Sequence, residues 1–425
     1  MSFFISNERN KWRGSNIVIN ANRLWNRIDE LASIGKNEKG AITRFSFTKE
    51  DRAAKDLVSM YMKEAGMSVR EDEIGNLIGL YEGNVPGAPV IIIGSHVDTV
   101  KNGGKFDGAL GVLAGIEVVQ TLFERGEKLD HPIEVIAFTD EEGSRFNFGM
   151  IGSKAMTGKL SQEDLQMRDV EGTTIENAMQ HAGYQSTKLS DVQRDPSSIT
   201  CYLELHIEQG KVLEKSNLPV GIVSGIAGPL WMKFQLVGEA GHAGATPMHM
   251  RKDPMTAFGE IVTEVEKIAR TYEDTVATVG IVEVKPGGVN IIPGEVLFTI
   301  DLRSIDLSTR NKAEEEITEM IEQKSKTFQL LYKKEILQNV EPVLCAKEIQ
   351  EVMIEKIQQH GYETIILPSG AGHDAMQFKD ICPVGMVFVR SKDGISHHYA
   401  EFSSKEDCHS GTQILYETVL ELNKR

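Results

Sequence analysis

Only four cysteines occur in 425 residues, Cys201, Cys345, Cys382 and Cys408, and no two stand at CxxC spacing. That argues against a disulfide framework, a thiolate zinc site and a cysteine nucleophile; free, mostly buried thiols in a reducing cytoplasmic setting are expected. No apolar run approaches the roughly 18–20 residues of a membrane helix. The opening residues, MSFFISNERNKWRGSN, have a short apolar patch and then charged and polar side chains, unlike a signal peptide. Basic residues are scarce: 46 Lys and Arg face 62 Asp and Glu, for a net charge of −16. Nucleic acid and anionic membrane surfaces are therefore disfavoured as partners. Also missing are a GxSxG elbow, a P-loop and a GxGxxG fingerprint, which argues against a serine hydrolase, an NTPase and a Rossmann dehydrogenase.

What is present is ordinary for a globular chain too long for one core, so two domains, or three, are expected. Residues 20–35 and 48–66 have helical spacing, the second capped by Thr48 with acidic residues behind it. Strand patterns follow at 68–73, 77–81 and 90–94, a buried helix at 108–125, and a strand at 133–138. This alternation predicts an α/β fold around a mixed, mainly parallel sheet covered on both faces. A second unit is inserted at 223–337. Strand 231–237, helix 254–272, strands 276–284 and 295–302, helix 309–326 and strand 329–337 follow in turn, the β-α-β-β-α-β order of a ferredoxin-like α+β domain. The larger domain, 1–222 and 338–425, resumes with helix 346–360, strands 363–367 and 384–389, and helix 405–423. Residues 161–200 are polar and irregular.

Ligand-type residues stand where apolar runs end. VIIIG leads into Ser95-His96-Val97-Asp98, and Asp107 comes eleven residues after His96. IEVIAF leads into Thr139-Asp140-Glu141-Glu142, Tyr202–Leu205 leads into His206, and His397-His398 stand near the C-terminus. Taken singly, each has a plain structural explanation: a satisfied core histidine, a turn aspartate, a surface turn, a surface histidine pair. Together, at strand ends of an α/β pattern, they match a site for divalent cations such as zinc, manganese, cobalt or nickel. Asp98, on the same strand face as His96, is placed to accept its ring N–H. Of the adjacent glutamates, one can bind metal while the other serves as general base.

The segments GSHVDTVKNGGKFDGALGVLAG, PIEVIAFTDEEGSRF, ELHIEQGKVLE, GHAGATPM, VNIIPGEV, DLRS, PSGAGHDA and GISHHYAE resemble the M20 family of di-metal amidohydrolases and peptidases. Within it they are most similar to the branch of N-carbamoyl-L-amino acid hydrolases and allantoate amidohydrolases. The resemblance covers nearly the whole chain. It implies a di-metal exopeptidase-like catalytic domain with two divalent ions per subunit. His96, Asp107 and His206 would hold one ion; Asp107, Glu142 and His397 the other, with Asp107 bridging. Glu141 would be the general base and acid. His397 takes the Ser-His position, so it is preferred to His398, although Tyr399 stands where the family motif usually has proline. The inserted unit would be a lid and homodimerisation domain supplying His242, Asn290 and Arg303. His242 would stabilise an oxyanion, Asn290 and Arg303 would bind a substrate carboxylate, and Gln209 would contact the substrate amide.

The implied reaction is hydrolysis of a linear C–N bond in a small carboxylate carrying a ureido or amide group. An N-carbamoyl-L-amino acid, giving the amino acid, carbon dioxide and ammonia, is preferred; allantoate is the alternative. A dipeptidase or aminopeptidase of the same family is disfavoured by His206, where peptidase branches usually carry Asp or Glu. A metal-binding protein without catalysis is disfavoured by the retained Glu141.

Overall fold

A computed structural model of the chain describes residues 18–424; the opening segment MSFFISNERNKWRGSN lies outside them. The chain divides into two compact units. One runs to Ser224 and includes Cys345–Leu367 and His373 onward; the other comprises Gly225–Leu344 and Pro368–Gly372.

The larger unit is built on a mixed sheet. From one edge its strands are Ser68–Glu71, Leu77–Tyr81, Ile133–Phe138, Val90–His96, Ile199–Ile207, Val384–Val389 and Val220–Ile226. The four middle neighbours are parallel, and the flanking pairs are antiparallel. Register brings the parallel strand ends to one edge: His96 pairs with Phe138, and Phe388 with His206. These strands are almost wholly buried, so they read as largely apolar runs, interrupted by Glu134, which pairs with Arg194, and by Glu204, which accepts from Ser95 and Tyr202. Helix Lys49–Glu64 begins at Thr48, whose side chain accepts from the Asp51 N–H. The first helix is shorter than its spacing predicts, Ala21–Leu31, because the chain leaves helical geometry before Gly35, which has φ of +80°. Residues 161–200 form short helical turns.

Helix Ala109–Glu124 follows Asp107 directly and is buried along nearly all its length. It lies so close to the sheet that a Cβ on Gly111 would come 2.3 Å from the Leu205 carbonyl oxygen and 2.8 Å from Ser95 Cβ. Ser95 and Leu205 adjoin His96 and His206, so this close approach sets the depth of Asp107 against both histidines.

The smaller unit has an antiparallel sheet in the order Leu331–Asn339, Gly228–Val237, Glu295–Ser304, Thr275–Lys285. Chain order and sheet order together are those of a ferredoxin-like fold. Alternate residues Leu230, Met232, Phe234 and Leu236, with Val296, Phe298, Ile300 and Leu302, form its core. Helices Pro254–Thr271 and Leu307–Thr327 pack on that core through Ala257, Ile261, Val265 and Ile268 and through Ala313, Ile317 and Ile321. The unit extends past the expected residue 337, since its last strand continues to Asn339. It also takes up Pro368–Gly372, where the Ala227 N–H donates to the Ser369 carbonyl (2.8 Å). The strand expected at 363–367 is found at Ile366–Ser369.

Because the atom facing Gly111 is main-chain oxygen and cannot swing away, Gly111→Ala is expected to cost about 1–3 kcal/mol. A lowered urea midpoint with unchanged slope would report it.

Candidate metal centre

His96 and His206 lie at the carboxyl edge of parallel strands and are buried. His96 Nδ1 is 3.0 Å from the Asp98 carbonyl oxygen, and His206 Nδ1 is 3.0 Å from that of Ile207. A carbonyl can only accept, so each Nδ1 carries the hydrogen and each Nε2 presents a lone pair. Both lone pairs face Asp107 Oδ1, at 3.6 and 3.2 Å. The other oxygen, Asp107 Oδ2, faces His397 Nε2 at 3.5 Å, and the same Nε2 is 3.5 Å from Glu142 Oε2. Two groups result, His96–Asp107–His206 and Asp107–Glu142–His397, with Asp107 common to both.

The donor set fits divalent cations. Lone pairs aimed at a carboxylate oxygen repel unless positive charge lies between them, and imidazole with carboxylate suits transition-metal ions. Glu142 Oε1 is buried with no hydrogen-bond partner among the described residues, as expected of an oxygen placed for an ion. Without a cation the histidines answer with protons. Burial opposes charge on His96, yet Glu141, Asp107 and Asp98 hold it well above the ordinary imidazole value, and Asp107 raises His206.

Glu141 lies beside the first group, its Oε2 3.6 Å from His96 Nε2, and precedes Glu142 of the second group in the chain. Burial, reinforced by Asp374 and Glu142, pushes its carboxyl well above the usual range against the opposing His96. The turn that aims the two glutamates is held by Asp98, whose carboxylate accepts from the Glu141 and Glu142 N–H groups at 3.2 Å each. This corrects the role expected for Asp98. Its carboxylate is 3.7 Å from His96 Nδ1, and the ring N–H goes to its main-chain oxygen instead. Asp140, at φ +56°, and Gly143, at φ +60°, give the turn its left-handed bends.

Gln209 lies against the cluster. Its Nε2 donates to Asp107 Oδ2 (2.8 Å) and contacts Ser396 Oγ (3.1 Å), so its amide nitrogen is turned onto the cluster. His373 is a residue to which the sequence alone gives no role, although PSGAGHDA contains it. Its buried ring stands 4.5 Å from that of His206, and it groups with Glu204 and His206. Burial, together with His206, holds His373 well below its ordinary value.

His242, Asn290 and Arg303 belong to the smaller unit. His242 Nδ1 accepts from the Gly244 and Ala245 N–H groups, 3.1 Å each, which leaves Nε2 as the donor. Asn290 adjoins it: the Ala243 N–H donates to the Asn290 carbonyl (2.9 Å), and Ile291 pairs with His242. Arg303 turns its Nε and Nη2 onto Asp301, at 3.0 and 2.7 Å, and its Nη1 onto the Gly370 carbonyl at 2.6 Å.

Residues 92–421 match the Peptidase family M20/M25/M40. The chain belongs to this family. It is 51% identical to an N-carbamoyl-L-amino acid amidohydrolase of Geobacillus stearothermophilus, over 95% of this chain and 99% of that protein. It is 46% identical to the N-carbamoyl-L-amino-acid amidohydrolase of Pseudomonas sp. strain NS671, again over 95% of this chain and 99% of the relative. Among solved structures, a hydantoinase/carbamoylase family amidase from Burkholderia multivorans superposes with a TM-score of 0.90 at 34% identity. That match covers 96% of this chain and 99% of the other.

Metal-free protein is expected to lose stability as pH rises. Asp98, Asp140, Glu141 and Glu142 are all raised by burial, Asp374 is pushed up to about 8 and Glu401 to about 7. The unfolded chain releases such protons near pH 4, whereas the folded chain keeps them to higher pH. Between about 4 and about 8 the folded state therefore binds more protons, and stability declines through that window. His96 and His206, raised as well, act in the same direction; Asp107, held well below its ordinary value, titrates beneath the window. Urea midpoints at about pH 5.5 and about pH 8, with chelator and with manganese, check this: the slope should flatten with the ion.

Proposed function

We propose that this chain hydrolyses N-carbamoyl-L-amino acids to the free amino acid, carbon dioxide and ammonia, using two divalent ions such as zinc, manganese, cobalt or nickel. The reading rests on Glu141, a largely buried carboxylate against His96 and next in the chain to Glu142, in a chain that shares half its residues with an amidohydrolase of that substrate class. Ions held by His96, Asp107 and His206, and by Asp107, Glu142 and His397, would supply Lewis acidity and lower the pKa of water. Glu141 takes the proton at its carboxylate as the water oxygen bonds to the carbamoyl carbon. The bond from that carbon to the amino acid nitrogen then breaks, and Glu141 returns the proton to the nitrogen. The released carbamate falls apart into carbon dioxide and ammonia. A general base with its pKa lifted towards the working range is suited to both transfers.

His242, with Nε2 as the donor, stabilises the oxyanion. Arg303 keeps one N–H on each terminal nitrogen beyond its bonds to Asp301 and Gly370, enough for a paired contact with the substrate carboxylate, and Asn290 adds a donor. The described geometry supports a homodimer. His242 and Asn290 lie past the Glu295 end of strand Glu295–Ser304, whereas Arg303 is near the other end. At about 3.3 Å per residue the eight intervening steps span about 26 Å, too far for one small substrate. Two copies could supply the two ends to each site. The free cysteines suit a cytoplasmic setting, and no helix of the described residues is long and apolar enough to cross a membrane.

Glu141→Gln is expected to lower kcat by about 10²–10⁴-fold with ion content unchanged, measured by emission spectroscopy on the same sample. Metal-loaded protein should turn over N-carbamoyl-L-methionine and not its D isomer, allantoate or a dipeptide. Turnover of allantoate alone would overturn the substrate assignment. Arg303→Ala should raise KM and leave ion content intact; lost ion binding would count against its role.

A further inference from the structure

Glu401 is 5% exposed and touches the cluster without belonging to either ligand group. Its Oε1 accepts from two consecutive main-chain N–H groups, Phe106 at 2.9 Å and Asp107 at 3.0 Å. Its Oε2 meets Ser396 Oγ at 3.1 Å, and that hydroxyl lies 2.8 Å from Asp107 Oδ2. The Glu401 N–H donates to the His398 carbonyl at 3.0 Å. One carboxylate thus grips the segment that delivers Asp107 and, through Ser396 and its own main chain, the loop that delivers His397. Space for this grip is cleared at Gly104, where a Cβ would fall 2.4 Å from Glu401 Oε1. Beneath it Trp25, Phe106 and Phe402 pack edge to face and tilted, at 5.8 to 6.3 Å between ring centres. The residues on either side of the grip, Phe106 and Phe402, are therefore anchored in apolar packing.

We propose that Glu401 is the positioning residue that sets Asp107 and His397 at ligand distance, so that the Asp107–Glu142–His397 group depends on it. This rests on the two-cation reading of the site. The geometry needs an acceptor for two N–H groups and a polar atom on Ser396, and it does not need a negative charge. Glutamine satisfies both: its carbonyl can accept from Phe106 and Asp107, and its amide can donate to Ser396 Oγ, which still donates to Asp107. Alanine satisfies neither.

The test is calorimetric titration of metal-free protein with manganese, comparing wild type, Glu401→Ala, Glu401→Gln, Ser396→Ala and His397→Ala. Far-ultraviolet melting of each metal-free variant reports folding. Glu401→Ala is expected to weaken the ion that His397→Ala loses by about 10–100-fold, the usual effect of removing a support behind a ligand. The other ion, which shares Asp107 but not His397, should weaken less, and Glu401→Gln should bind like wild type. Ser396→Ala, a milder change, should weaken the same ion to a smaller degree, so the proposal stays testable if Glu401→Ala fails to fold. Wild-type affinity in both Glu401→Ala and Ser396→Ala would overturn it, as would a Glu401→Gln variant that falls as far as Glu401→Ala. A wild type that takes one ion per chain would sink the two-cation reading instead. The proposal would then stand or fall on whether Glu401→Ala matches His397→Ala for that ion.

Discussion

Like charge packed into a dry sheet edge is the constraint around which the larger unit is arranged. Asp98, Asp107, Asp140, Glu141 and Glu142 crowd one another with side chains almost wholly withdrawn from water. Burying carboxylates without compensation is among the most costly things a fold can do. The buried cations nearby are committed elsewhere. Arg44 gives its guanidinium to the carbonyls of Leu31, Ile34 and Val97, and Lys55 pairs with Asp51 and Thr139. Burial draws Arg44 down to about 10. Positive charge for the ligand carboxylates must then come as protons on the histidines or as bound metal, which couples ion binding to stability.

Parallel strands solve the placement problem. Their middles can be wholly apolar because helices cover both faces, and their carboxyl ends all emerge at one edge. His96 and His206 therefore arrive side by side from segments more than a hundred residues apart. Main-chain carbonyls fix their tautomers, which frees the Asp98 carboxylate to hold the glutamate turn. Glu141 and Glu142, adjacent in sequence, acquire different surroundings from that turn. One lies against His96; the other faces His397 and Asp107.

Much of this is legible in the sequence. The apolar runs that end at His96, Glu141 and His206 mark strand ends, because a strand buried on both faces leaves no alternation to mislead. The β-α-β-β-α-β order of the smaller unit follows from alternating residues such as Leu230, Met232 and Phe234 and from helical spacing such as Ala313, Ile317 and Ile321. Roles that depend on main-chain atoms stayed hidden. That Asp98 binds the N–H groups of Glu141 and Glu142 cannot be inferred from its spacing to His96. Glu401 looks like a surface residue of HHYAE until the Asp107 segment is seen to fold over it.

The sequence by itself determined which side chains could ligate, which apolar runs are buried strands and the order of elements in the smaller unit, since these follow from local pattern and residue chemistry. Only the tertiary structure decided what each carboxylate does. Asp98 holds a turn, Glu401 grips two segments, and Asp301 accepts from Arg303. The physical reason is that a hydrogen bond is set by ångström-scale positions of atoms brought together from distant parts of the chain, and no local pattern encodes those positions.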